Sequence, residues 1–136
     1  MTRIIALDVG NDVGMAVYED VLLELATYDY YRQMIALFGR LQYTATKETL
    51  FLIETPRPGS MRRRSRDLGR CEEKAATLEA WIRAFGGRVL MLKPNKFTKL
   101  DRQQFAAYWP GWEGKSSEHS RDSAMMIWVY LKQRSN

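Results

Sequence analysis

The chain has 136 residues, enough for one ordinary domain, and with 46% hydrophobic and 12% aromatic residues it is not a disordered, highly charged segment. Its net charge of +5 is concentrated: between positions 57 and 70 six arginines (57, 62, 63, 64, 66 and 70) face Asp67 alone, a surplus of five that equals the charge of the whole chain. Arg57, Arg62, Arg63, Arg64 and Arg66 are therefore expected to meet a polyanion, nucleic acid first among the candidates. The single cysteine, Cys71, excludes an intrachain disulfide and fits a reducing compartment. No apolar run reaches the length of a membrane span, and the first residues read as a strand rather than a signal peptide. A cytoplasmic protein with no membrane partner is expected.

In chain order, Arg3 to Asp8 carries the apolar run Ile4-Ile5-Ala6-Leu7 and breaks at Gly10, a buried strand ending in a turn. Val13 to Tyr18 and Val21 to Tyr28 flank the acidic pair Glu19-Asp20 and predict an antiparallel meander. Tyr30, Met34, Leu37, Phe38 and Leu41 recur at spacings of three and four, predicting a helix from about Tyr30 to Tyr43. Leu50 to Glu54 reads as a central strand that Pro56 and Pro58 stop. Leu68, Cys71, Ala75, Leu78, Ile82 and Phe85 form a long helical stripe ended by Gly86-Gly87. Arg88 to Leu92 is a fifth strand ended by Pro94, and a short helix is expected from Phe97 to Ala107. The last helix, from about Ser117 to Lys132, is apolar nearly all round after Asp122 and should pack deep against the sheet. This order predicts an α/β domain over residues 1–136: a five-stranded mixed sheet, three antiparallel strands then two parallel, with helices on both faces.

Asp8 ends the first strand, Glu54 ends the fourth, and Asp122 stands near the start of the last helix, so three acids lie at element ends where a sheet can gather them. An acid closing an apolar run must be solvated, paired or bound to a cation, because burying it alone is prohibitive. Carboxylate oxygens suit Mg2+ or Mn2+, and a pair of such ions roughly 3.5–4 Å apart can activate a water and stabilise the leaving oxygen of a phosphodiester. His119 precedes Asp122 by three residues, so on a helix the two project from one face, where the imidazole could ligate an ion or relay a proton.

The joint pattern resembles the RuvC Holliday junction resolvases of the RNase H-like fold. It is carried by Leu7-Asp8-Val9-Gly10, Ile53-Glu54, Leu68-Gly69-Arg70, Lys93-Pro94 and His119-Ser120-Arg121-Asp122-Ser123-Ala124, which occur in the family's order over nearly the whole chain. The resemblance implies an RNase H-like endonuclease that makes paired nicks in four-way junction DNA, using two Mg2+ ions per site, with Mn2+ able to substitute. It implies Asp8, Glu54, His119 and Asp122 as the metal-binding and catalytic set, with Asp8 bridging the ions. Lys96, Lys99 and Lys115 are the positions for the basic residues that contact the scissile phosphate or nearby backbone. It also implies a homodimer whose two sites match a two-fold-symmetric junction, with the long helix contributing to the contact. Where the family places an aromatic wedge after the fourth strand, this chain has Thr55-Pro56-Arg57-Pro58 and the arginine cluster, which assigns junction opening to arginine or Met61. The competing readings are a nuclease of the same fold acting on forks, D-loops or structured RNA, and a non-catalytic DNA-binding module whose acids only cap and pair.

Overall fold

A computed structural model describes residues 2–54, 65–93 and 100–135, with side chains left undescribed at 65–68. Five strands, β1 (Arg3–Val9), β2 (Asp12–Glu19), β3 (Val21–Asp29), β4 (Thr49–Glu54) and β5 (Arg88–Leu92), form one sheet in the order β3-β2-β1-β4-β5. β1 pairs antiparallel with β2 and β2 with β3, while β1–β4 and β4–β5 are parallel. The helices are α1 (Met34–Thr44), α2 (Ser65–Ala84), α3 (Arg102–Tyr108) and α4 (Glu118–Arg134). The expected three-plus-two mixed sheet is therefore present, and it is an RNase H-like arrangement.

β1 lies at the centre because both of its faces are apolar. Ile5 and Leu7 join Met15, Phe51 and Ile53 in one core, closed by Leu37 and Leu41 of α1 and by Ala75, Leu78 and Ile82 of α2. Ile4 and Ala6 join Ala16 and Leu52 in the other, closed by Phe105 of α3 and by Ala124, Met125, Met126 and Ile127 of α4. The period-two alternation thus sends odd-numbered residues of β1 to α1 and α2, and even-numbered ones to α4. Asp8 follows Ile4 and Ala6 onto the α4 side, and Glu54 follows Leu52 there. The deep packing expected of the last helix is realised in five consecutive buried residues, Ser123 to Ile127.

Three boundaries differ from the periodicity. α1 begins at Met34 rather than Tyr30, because the Asp29 carboxylate accepts from the N–H groups of Tyr31 (3.1 Å) and Arg32 (2.8 Å). That turn drops Tyr30 into the core before the helix starts. α2 ends at Ala84, with Gly86 at φ 95° in the left-handed region that stops a helix, so Phe85 closes the stripe from outside the helix. α3 begins at Arg102, where Asp101 and Gln104 form a reciprocal capping box; the expected start at Phe97 lies outside the described residues. Asp20 makes the β2–β3 turn with φ 66°, a conformation Asp tolerates better than most residues.

Candidate metal centre

β1 and α4 bring Asp8, His119 and Asp122 together. Each is partly buried, and one ligand atom from each lies within 4.8 Å of the others. His119 Nδ1 stands 3.3 Å from Asp8 Oδ2. When Nδ1 carries the proton it donates to the carboxylate, which leaves the Nε2 lone pair as the ligand or base. Two hard carboxylates and one imidazole, converging but still reached by solvent, are a donor set that could hold a divalent cation.

The first turn of α4 is held in place by its own chemistry. Ser117 is the N-cap and shares a capping box with Ser120, so the helix starts at Glu118, one residue before His119. Arg121 braces the preceding loop, donating to the Leu100 carbonyl (2.8 Å) and to Ser116 Oγ (3.0 Å). On the sheet side, Ser123 Oγ accepts from the Asp8 N–H (3.1 Å) and lies 2.7 Å from the Gly14 carbonyl, to which it donates. The spacing of three between His119 and Asp122 then turns both toward Asp8.

Glu54 closes β4 one residue beyond the Leu7–Ile53 pair, opposite Leu92 of β5. It shares the sheet end and the sheet face of Asp8, yet its carboxylate is not in the group that gathers Asp8, His119 and Asp122. The structure therefore brings three of the four expected ligands into one cluster and leaves the fourth beside it. Lys115 is exposed in the loop before α4, where it lines a shallow cleft of about 270 Å³ with Thr27, Ser116 and Ser117. Arg57, Arg62, Arg63, Arg64, Lys96 and Lys99 lie outside the described residues, as does the side chain of Arg66, whose backbone is in the first turn of α2. Both loops nonetheless leave the same edge: β1, β4 and β5 are parallel, so the chain exits β4 at Glu54 and β5 at Leu92 on the side where Asp8 stands.

Lys74 escaped the reading of the sequence. It is only 5% exposed, donates to the Gly10 carbonyl (3.2 Å), and stacks over the rings of Tyr30 (5.2 Å) and Tyr31 (5.0 Å). A cation held this way ties α2 to the turn just after Asp8, and its signal was a lysine beside Cys71, Ala75 and Leu78 on an otherwise apolar stripe. Cys71 is a buried free thiol, as its place on that stripe implies. Trp109 and Trp112 pack against the α4-side core, with Trp109 meeting Tyr18 at 5.8 Å.

The fold belongs to the RNase H-like class of mixed α/β sheets. Within it the chain is similar over its whole length to RuvC from Thermus thermophilus, with a TM-score of 0.65 at 12% identity, covering 98% of this chain and 96% of that one. It is equally similar to the structure of T. thermophilus RuvC in complex with Holliday junction substrate, with a TM-score of 0.64 at 12% identity over 100% of this chain and 97% of that one. No protein-family model matches the chain. No curated protein matches it by sequence. The RuvC resemblance in the short motifs is thus matched by a RuvC-like fold. No helix among the described residues is long and apolar enough to cross a membrane.

Proposed function

We propose that the chain is a metal-dependent endodeoxyribonuclease that resolves four-way DNA junctions by paired nicking. The observation that carries this reading is the convergence of Asp8, His119 and Asp122 on one edge of a RuvC-like sheet. In this reading Asp8, Asp122 and the His119 Nε2 hold Mg2+, or Mn2+ in its place, and Glu54 supplies a further carboxylate from the neighbouring strand. Two ions held there would activate the attacking water and stabilise the leaving 3′ oxygen. The residues themselves orient the donors, and the Asp8–His119 contact holds the imidazole in place beside the carboxylate. The arginines at 57, 62, 63, 64 and 66 and the lysines at 96 and 99 follow directly from the site edge, which suits them to the strands flanking the cut. Lys115 extends the same rim on the β3 side.

Two symmetric nicks need two such sites, and each chain carries one, so the enzyme acts as a homodimer. The outer side of α1, together with Thr77 and Trp81 of the long helix α2, offers the surface for it: Ile35 is 91% exposed and Tyr43 84%, and Ile35 lines an apolar cleft with Met34, Phe38 and Trp81. Met34, Ile35, Phe38 and Trp81 share that one cleft, and an exposed apolar patch of this kind marks an interaction site.

A fixed four-way junction, labelled on each strand in turn and incubated with Mg2+, tests the proposal. Paired, ligatable nicks in two opposing strands are expected, and Asp8→Asn should bind the junction without cutting it. Unpaired nicks spread over all four strands, or better cleavage of structured RNA, would replace the resolvase reading with a nuclease of other specificity. Full cutting by Asp8→Asn would end the assignment of the site.

A further inference from the structure

Three neighbouring strands each present one residue to the start of α4. Asp8, Gly14 and Thr27 form a single row, paired directly across β1, β2 and β3. Every member of the row is engaged by the helix. Thr27 Oγ1 shares a hydrogen bond with Ser117 Oγ, the N-cap. Gly14 lies against the backbone of His119 so closely that a Cβ there would stand 2.2 Å from the His119 carbonyl oxygen and 2.3 Å from its carbonyl carbon. Asp8 meets His119 through its carboxylate and Ser123 through its N–H, while the Ser123 hydroxyl proton goes to the Gly14 carbonyl. Ser123 is completely buried, so its hydroxyl serves this seam and nothing outside it.

We infer that Gly14 and Ser123 are positioning residues that set the geometry of the metal group, with Thr27 as a third fixing point. This inference rests on the reading of Asp8, His119 and Asp122 as metal ligands. The height of α4 over the sheet is set at Gly14, since any side chain there forces the first turn outward by roughly 1 Å before even a tight contact is restored. Slide and rotation are set by two hydrogen-bonded points, Ser117 and Ser123, about 9 Å apart along the helix axis. One point would let the helix pivot. With both in place, His119 and Asp122 reach Asp8 in one arrangement, and the ligands do not have to find it when the cation binds.

The test uses Mn2+ with the full chain, read by calorimetry and by paramagnetic broadening of the imidazole signals, which are unambiguous because His119 is the chain's single histidine. Thermal unfolding checks that each variant is folded. Wild type should bind, Asp8→Asn should not, and Ser123→Ala and Gly14→Ala should bind roughly tenfold more weakly or worse while staying folded. Cleavage by Ser123→Ala should recover as Mn2+ is raised, which a general loss of structure would not allow. If Asp8→Asn abolishes binding but folded Ser123→Ala and Gly14→Ala keep wild-type affinity, the positioning role is wrong and the metal reading survives. If wild type itself binds no Mn2+, both fall. Should the two buried variants fail to fold, the half-buried Thr27 decides: a loss of roughly threefold in Thr27→Val supports the inference, and unchanged affinity overturns it.

Discussion

The two faces of the sheet are built from different materials. Toward α1 and α2 the strands present Ile5, Leu7, Met15, Phe51 and Ile53, large side chains that are fully buried against Leu37, Leu41, Leu78 and Ile82. Toward α4 the same strands also bury Ile4 and Leu52 against Met125, Met126 and Ile127, but beside the metal cluster they present Ala6, Gly14 and Ala16, and the helix answers with Ser120, Ser123 and Ala124. Large residues separate a helix from a sheet and supply most of the burial free energy, whereas small ones let backbones approach and hydroxyls bridge them. The first face is thus a source of stability throughout, and the second narrows, at the start of α4, to a close seam that holds the candidate metal cluster.

If this division holds, substitutions on the two faces should fail in different ways. The largest effect is expected from Asp8→Asn: junction cleavage should fall by roughly a thousandfold or more, because a metal ligand supplies several kcal/mol in the transition state. Its unfolding temperature should change little, and a large drop in stability with only modest loss of cleavage would break the comparison. On the other face, Phe51→Ala should destabilise the fold by about 3–5 kcal/mol, as cavity-forming core substitutions do. Cleavage per folded molecule, measured well below the unfolding transition, should remain near wild type.

The next effect concerns the outer side of the stable face. Ile35→Glu places a charge in the middle of the exposed α1 patch and should shift sedimentation toward the monomer, while the stability of each chain stays within about 0.5 kcal/mol, as is usual for surface changes. A monomeric wild type at working concentration would show that the patch has another purpose.

The large-residue face was the more legible in the sequence, because its message is periodicity. β1, β2, β4 and β5 follow from short β-branched runs, and the stripe Cys71, Ala75, Leu78 and Ile82 marks α2 directly. Asp8, Glu54 and the His119–Asp122 pair were also visible, as polar interruptions of apolar runs and as a helical spacing of three. The seam was not. Ser123 and Gly14 are ordinary residues in one dimension, and only the β1–β2 register and the docking of α4 place the hydroxyl between two strands. The start of α1 was misplaced for a related reason, since the Asp29 carboxylate captures two N–H groups that periodicity would have assigned to a helix. Nor could spacing reveal that Glu54, on the same face and edge as Asp8, stands outside the three-residue cluster.

The smallest effect is a pH dependence on the stable face. Burial raises the Tyr30 phenol above its ordinary value of 10.0, an effect partly offset by a hydrogen bond with Thr77. A folded-state value above the unfolded one means the neutral phenol contributes stability below about pH 10 that is lost as pH rises through the folded value. Stability should therefore fall less steeply in strong alkali for Tyr30→Phe than for wild type, as measured by denaturant unfolding. Identical slopes would show that Tyr30 ionises alike in both states.

The central claim, that α4 and β1 together build a divalent-cation site, is tested most directly by crystals grown with Mn2+ and measured for its anomalous scattering. An anomalous peak should lie among Asp8, His119 and Asp122, with ligand oxygens at about 2.0–2.3 Å. The refined map should also show whether Glu54 swings in to complete the shell. A fully occupied Mn2+ elsewhere on the chain, with this cluster bare, would contradict the account.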